Sequence, residues 1–311
     1  VGNIGVPISE VVTKATKDDI LVVEISSFQL LGVTDIDPKV AAIVDIYNNV
    51  HLDYHKTFEN YVYAKLNVTR FQNSSDYFIA NYDQKDILAK EKELTKAKIQ
   101  TFSEKDSSAD YYIGDEYLES QNEKIIKIDD IKLPGIHNLQ NSLVAIAISK
   151  IMGADNDDIK AVLTTFAGAK HRLQYVMTLD GRKIYNDSKS TNIEAATVAI
   201  PAFKQPEVLI AGGLDRGFTF DDLVPLFKNH VKAIVLYGET KYLLADSARK
   251  AGIKKIVIEN TLQEAVPKAY ELTEPGDVLL FSPACASWDQ FRTFEERGDY
   301  FVKFVEELKT K

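Results

Sequence analysis

Between residues 183 and 281 short apolar runs alternate with helical segments, and this alternation constrains the fold more than any other feature of the chain. Lys183 to Asn186, Val208 to Ala211, Ala233 to Tyr237, Lys255 to Glu259 and Val278 to Phe281 read as strands. Helical patterns fill the gaps at Asn192 to Phe203, Phe220 to Lys228, Lys241 to Ala251 and Leu262 to Tyr270, and a last helix ends near Lys309. Strands without a polar side need cover on both faces. The pattern therefore predicts a parallel, doubly wound sheet with ligands at the carboxyl ends of its strands.

The preceding half is less regular. Ile20 to Phe28 and Val40 to Tyr47 are continuous runs of the kind found in buried strands, a helix follows from Phe58, and Tyr77 to Tyr82 is a further strand. A Lys/Glu-rich amphipathic segment covers Ile87 to Lys98, and the short alternating runs of Tyr111 to Leu133 predict a small antiparallel addition. Pro134-Gly135 precedes helices at Asn138 to Met152 and Asp155 to Phe166. The small residues Ala167 to Ala169 mark a boundary, and 311 residues suffice for two domains, 1–169 and 170–311.

Within the first domain the segment NNVHLDYHKTFENYVYAK ends on Lys65. Phe58, Tyr61, Val62 and Lys65 share one helical face, which puts an amine on an apolar stripe. Desolvation disfavours the ammonium form, and a neutral amine can capture carbon dioxide as a carbamate. With His51 and Asp53 nearby, the resulting carboxylate would suit a hard divalent cation such as magnesium, although imidazole alone fits zinc equally well. A lysine that lays its stem over the core and keeps its head in water is the commoner outcome of such spacing.

In the second domain the turn NDSKSTN, from Asn186, joins a strand to a helix. Thr191 and Glu194 have capping-box spacing, which predicts a helix start just after Lys189, where free amides attract an anion. An ordinary polar connection has the same form. Gly212 to Gly217 (GGLDRG) lacks the spacing of a dinucleotide loop, which excludes a nicotinamide site, but Arg216 offers a planar cation for a carboxylate. The stretch SPACASWDQF from Ser282 leaves room for a substrate. Its Cys285 has no evident histidine partner and reads as a small buried filler.

Charge and cysteine usage exclude further classes. With 37 Lys and Arg against 46 Asp and Glu, the net charge of −9 argues against nucleic acid as a partner. The sole cysteine excludes an internal disulfide, and no apolar run approaches a membrane span, so a cytoplasmic protein is expected.

Nine collinear motifs then carry a resemblance: GNIG at Gly2, VEISSFQL at Val23, NNVHLDYH ending at His55, YAKL at Tyr63, GIHNLQNSLVA at Gly135, HR at His171, NDSKSTN, GGLDRG and SPACASWDQF. The chain resembles the Mur ligases over nearly its whole length, and within them the members that add D-glutamate. The resemblance implies a partial central ATPase domain, mainly a parallel sheet with a small antiparallel addition, followed by a Rossmann-like glutamate-binding domain. It implies ATP and Mg2+ as cofactors, UDP-N-acetylmuramoyl-L-alanine and D-glutamate as substrates, and a monomer. Glu24 would hold one magnesium, and His51 with carbamylated Lys65 a second. Asn3 and Ser26 would lie near the muramoyl substrate. Asn138 and Asn141 would open a helix at the nucleotide, with Asn141 on the adenine edge, Arg172 on the phosphates and Asp187 on the ribose. Lys189, Thr191, Arg216, Ser287, Trp288 and Phe294 would form the D-glutamate pocket. The implied reaction is phosphorylation of a carboxylate followed by attack of an amine, with residues of both domains converging through closure.

One departure bears on this chain. The family's glycine-rich phosphate loop and uridine-binding domain are expected upstream of GNIG, whereas the sequence begins at Val1 without Met. The expectation is a piece that does not ligate alone. Folylpolyglutamate synthase shares the layout, but the SPACAS stretch favours the muramoyl ligases. A non-catalytic nucleotide or amino-acid binding module is the reading from another class. A carbamate-bridged metallohydrolase would need more than five histidines, of which only His51 and His55 cluster.

Overall fold

The computed structural model describes residues 1–48 and 51–310, so Asn49 and Val50 of the NNVHLDYH motif lie outside the described residues. By backbone contacts the chain divides into two compact units, one of Val1–Ile128 with Gln140–Lys160, the other of Asp129–Leu139 with Ala161–Lys311.

In the first unit, α1 (Ile8–Val11) and α2 (Ser27–Leu31) precede β1 (Val40–Ala42), α3 (Leu52–His55) and α4 (Phe58–Leu66). Then come β2 (Tyr77–Asn81), α5 (Lys85–Leu94), β3 (Lys98–Ser103), β4 (Tyr111–Ile113), β5 (Tyr117–Ser120) and β6 (Glu123–Lys127). The strands form one sheet in sequence order, parallel from β1 to β4 and antiparallel from β4 to β6. The parallel part is buried on both faces, with Phe78, Ile79 and Ala80 inaccessible at its centre. Helix α6 (Ile136–Ile151) and helix α7 (Asn156–Thr165) follow.

The run Ile20 to Phe28 is not a strand. It makes a single bridge, Gly2 to Glu24, and Ile20 and Val22 are 66% and 79% exposed. A β-branched run gains stability only through lateral pairing and burial, and this one has little of either. At its end Ser26 diverts the chain into α2 through a capping box with Gln29.

The second unit holds β7 (Gln174–Leu179), β8 (Arg182–Asn186), α8 (Ile193–Ala199), β9 (Glu207–Gly212), α9 (Val224–His230), β10 (Val231–Tyr237), α10 (Lys241–Lys250), β11 (Lys255–Ile258), α11 (Leu262–Leu272), β12 (Val278–Phe281) and α12 (Phe294–Glu307). The sheet order is β11-β10-β9-β12-β8-β7, parallel except for β7 at the edge. Successive residues of each strand point to opposite faces. Leu209, Ala211, Ile234 and Leu280 therefore join one core with Leu223, Phe227 and Leu244, while Val208, Ile210, Val235 and Phe281 join another with Val266, Phe301 and Val305. Each fully buried Leu, Val or Phe contributes about 1.5–3 kcal/mol. Two apolar faces covered by helices make the predicted doubly wound sheet.

Helix α8 starts one residue later than the Thr191–Glu194 spacing predicts. Its cap is Asn192, in extended backbone, whose Oδ1 accepts from Ala195 N at 2.9 Å. An Asn side-chain oxygen serves this role as well as a Thr hydroxyl does, so the helix takes Asn192 and leaves Thr191 in the turn. Asn192→Ala should cost about 1 kcal/mol of stability, checked by urea denaturation.

Candidate functional site

In the first unit an aromatic cluster gathers two of the predicted site residues, His51 and Lys65, around the Phe28 and Tyr61 rings. Phe28, on α2, lies 5.0 Å from the His51 ring and 5.2 Å from the His55 ring, centroid to centroid. The His51 ring is 5.9 Å from Tyr61, and Lys65 Nζ is 5.5 Å from that same ring. His51 caps α3 in left-handed backbone, φ 57°, and is exposed. His55 is buried, its Nε2 3.0 Å from Ser27 Oγ. Lys65 is half-buried on α4, and desolvation alone holds its amine below the usual lysine range.

Glu24 belongs to the neighbouring bridge. Asn3 Nδ2 donates to Glu24 Oε1 at 3.2 Å, and Asn3 N to Glu24 O at 2.8 Å, so these two predicted residues are held together. Ser26 is committed to capping α2. Among the described residues no group of three or more His, Cys, Asp or Glu side chains is placed to hold a metal ion. Glu24 and His51 supply one carboxylate and one imidazole. A hard cation prefers oxygen, so a carbamate on Lys65 would give His51 the oxygen partner that magnesium favours.

On α6, Asn138 Nδ2 donates to Pro134 O at 2.7 Å and secures the helix start. Asn141, one turn on, is exposed.

In the second unit the loops after β8, β9, β10 and β12 meet along the carboxyl edge of the sheet. Gly212 N donates to Pro283 O at 3.0 Å and Leu214 N to Ala286 O at 3.0 Å, which joins GGLDRG to SPACAS. Gly212 has φ +130°, and a Cβ there would stand 2.0 Å from Tyr237 O, so the crossing beside β10 requires glycine. Asp187 is buried beneath this edge. Its Oδ1 accepts from Leu173 N at 3.1 Å and its Oδ2 from Ser282 Oγ at 2.9 Å. Burial pushes its carboxyl up to about 7 against these bonds and the nearby Arg172 and Arg297 charges.

Lys189 stands two residues on, its Nζ 5.9 Å from the Phe294 ring at the head of α12. Ser188 Oγ donates to Phe294 O at 2.7 Å, tying turn to helix. Arg172 is exposed and acts on Asp187 electrostatically, which puts Arg172, Asp187, Lys189 and Phe294 in one neighbourhood. Ser287 is buried in its turn, accepting through its carbonyl from Phe291 N at 2.8 Å, and Thr191 is half-buried. Arg216 and Trp288 point outward. Arg216 Cζ stands 5.6 Å from the Phe218 ring, and Trp288 is 67% exposed.

Two residues given no role in the sequence reading organise this edge. Arg297, inaccessible on α12, donates to Ser188 Oγ at 2.9 Å, to Ser188 O at 2.7 Å and to Cys285 O at 2.9 Å, so one guanidinium spans both loops. His171, also buried, accepts through its carbonyl from Lys189 N at 2.9 Å. Cys285 is a filler as expected, its Sγ 3.3 Å from Thr240 Oγ1 and its thiol pushed up to about 11 by burial.

Comparison with known proteins finds matches in both halves of the chain. Residues 3–149 match the Mur ligase middle domain and residues 171–285 the Mur ligase glutamate ligase domain. Over all 311 residues the chain is 90% identical to the UDP-N-acetylmuramoylalanine-D-glutamate ligase of Lactobacillus helveticus, covering 68% of that protein. It is 52% identical over 308 residues to the ligase of the same name from Ligilactobacillus salivarius, covering 67% of it. Among solved structures, a UDP-N-acetylmuramoyl-L-alanyl-D-glutamate-2,6-diaminopimelate ligase aligns with a TM-score of 0.65 at 20% identity, over 93% of this chain and 64% of that one. A folylpolyglutamate synthase from Thermotoga maritima aligns with a TM-score of 0.60 at 14% identity, over 88% of this chain and 62% of that one. A MurF ligase from Thermotoga maritima in complex with ADP gives 0.57 at 16%, over 88% and 63%. These three likenesses concern the fold alone.

Proposed function

The chain belongs to the Mur ligase family, and on that premise we propose that it supplies the central and glutamate-binding parts of an ATP-dependent ligase joining D-glutamate to UDP-N-acetylmuramoyl-L-alanine in peptidoglycan precursor synthesis. The observation that carries the reading is the convergence of Asp187, Lys189 and Phe294 on one sheet edge, at the end of strands where a doubly wound sheet binds its ligands. Residues 170–311 take D-glutamate. ATP and a nucleotide-linked sugar are both consumed, so the enzyme works in the cytoplasm, as a monomer on small-molecule substrates.

The chemistry is acyl activation. A terminal carboxylate oxygen of the muramoyl substrate attacks the γ-phosphorus of ATP, ADP leaves, and the acyl phosphate is then attacked at carbon by the D-glutamate amine. The tetrahedral adduct collapses, the C–O bond to phosphate breaks, and the nitrogen releases its proton to give the amide. Magnesium, when bound, offsets charge on the transferred phosphoryl group. Glu24 would hold one such ion, and His51 with the carbamate of Lys65 a second.

The other residues bind and orient. Asn3 holds the Glu24 carboxylate in place and, with Ser26, flanks the muramoyl substrate. Asn141 presents an exposed amide to the adenine edge, and Asn138 fixes the helix start from which it projects. Asp187 keeps a lone pair on each oxygen for a ribose hydroxyl, and the exposed Arg172 offers its guanidinium to the phosphates. Lys189 neutralises a D-glutamate carboxylate, with Thr191, Ser287 and Phe294 shaping the pocket around it, while Arg216 and Trp288, which point outward, would have to turn in to join them.

Assay of the enzyme at the full length of its relatives, with ATP, UDP-N-acetylmuramoyl-L-alanine and single amino acids, tests the proposal. D-glutamate should drive ADP release and amide formation at least a hundredfold faster than L-glutamate or L-lysine. Equal rates with L-glutamate, or glutamylation of a folate in preference to the muramoyl substrate, would end it.

A further inference from the structure

One buried amide outside the ligand-contacting set reaches three of the segments that carry that set. Asn186, the last residue of β8, is inaccessible to solvent. Its Nδ2 donates to Gly298 O of α12 at 3.1 Å and stands 3.1 Å from His171 Nδ1, while its Oδ1 accepts from Ser188 N at 3.1 Å. His171 completes the ring of contacts, because its own carbonyl accepts from Lys189 N.

The orientation of the amide follows from its partners. Turned over, Asn186 would set its oxygen against the Gly298 carbonyl and its NH2 against the Ser188 N–H. With the NH2 toward His171, Nδ1 must be the acceptor, so the ring proton sits on Nε2, which is 3.6 Å from Asp299 Oδ1. The ring has no room to adjust. A Cβ on Gly298 would come within 2.1 Å of His171 Nδ1, so a glycine in the second turn of α12 is what lets the imidazole approach.

We infer that Asn186 is a positioning residue for D-glutamate binding: it fixes the His171 tautomer and the Ser188–Lys189 turn together, and so sets where the Lys189 ammonium stands relative to Phe294. The inference rests on the reading of Lys189 as a glutamate contact. Arg297 fastens the same turn from the other side through Ser188, but its hydrogen bonds go to Ser188 and Cys285, whereas Asn186 meets His171, Ser188 and Gly298. Asn186 is the group that couples all three.

Two variants test this, Asn186→Ala, which removes the amide, and Asn186→Asp, which keeps its shape but puts an acceptor where a donor is needed. Kinetics are measured on the enzyme at full length. In both variants the KM for D-glutamate should rise about tenfold or more, with kcat at saturating D-glutamate falling by a smaller factor. Nitrogen-15 shifts of His171 in the 311-residue chain should report the Nε2–H tautomer in the wild type, a mixture in Asn186→Ala and a doubly protonated ring in Asn186→Asp. A folded variant with an unchanged KM for D-glutamate, or an unchanged His171 tautomer in Asn186→Ala, overturns the assignment. If the wild type shows no dependence on D-glutamate the proposed function falls, and the nitrogen-15 arm still decides whether Asn186 sets the ring.

Discussion

Lys65→Ala and Lys65→Arg should each lower the ligation rate about 10²- to 10³-fold, while the melting temperature moves by only a few degrees. The amine is half-buried beside Tyr61 on α4, and its pKa is lowered by desolvation with no carboxylate contributing. A lysine placed to make an ion pair would show the opposite shift. The lowered pKa enlarges the neutral fraction at any given pH, and only the neutral amine adds to carbon dioxide. Carbamylation should therefore increase with rising pH and with bicarbonate, and intact-mass measurement at low temperature should find one added carbon dioxide on the wild type and none on either variant. Arginine keeps the positive charge but cannot lose its proton or form the carbamate, which separates a role for charge from a role for the carboxylate. Acetate at high concentration should restore part of the Lys65→Ala rate by supplying the missing oxygens. Full activity in Lys65→Arg would remove the carbamate from the mechanism.

The same periodicity argument that singles out Lys65 applies unchanged at the other end of the chain. Arg297, Phe301 and Val305 are spaced four apart on α12 and all three are inaccessible, so the buried guanidinium is legible in the spacing. Strand β12 coincides with its predicted limits because four consecutive apolar residues between turns admit little else. Strand β7 was missed although Asp180-Gly181 carries the signature of a two-residue hairpin, both residues having positive φ, 47° and 76°. Strand β3 was hidden because its alternating KIQTFS run follows a Lys/Glu-rich helix with no glycine or proline between them. The failure at Ile20 to Phe28 is of another kind. Composition reports what a strand would be made of, while pairing and cover are decided by other parts of the chain. The site divides the same way. That the loops after β8, β9 and β12 share an edge follows from the doubly wound pattern, whereas the outward setting of Arg216 and Trp288 depends on loop geometry that no spacing rule encodes.

Glu207→Leu should stabilise the second unit by about 3 kcal/mol at pH 7, the largest stability gain expected from any single substitution here. Glu207 opens β9 between Val231 and Val278, on the sheet face that carries Leu209 and Ala211, and neither carboxyl oxygen has a hydrogen-bond partner. Burial pushes its pKa from 4.5 to about 9. The folded state therefore keeps a proton that the unfolded chain releases above 4.5, and each pH unit between the two values costs about 1.4 kcal/mol. The contribution of Glu207 is most favourable below 4.5, declines as pH rises toward 9, and levels off above it. Leucine fills the same space without a group that must stay neutral. Asp187 and Glu91 also titrate near 7, but they are common to wild type and variant, so the difference between the two melting curves isolates Glu207. Calorimetry across pH 5 to 9, with hydrogen exchange at the β9 amides, should show that difference growing by several kcal/mol toward alkaline pH. A difference that stays flat across the range would mean the carboxylate is solvated or paired in the folded protein, and the buried, neutral Glu207 would have to be given up.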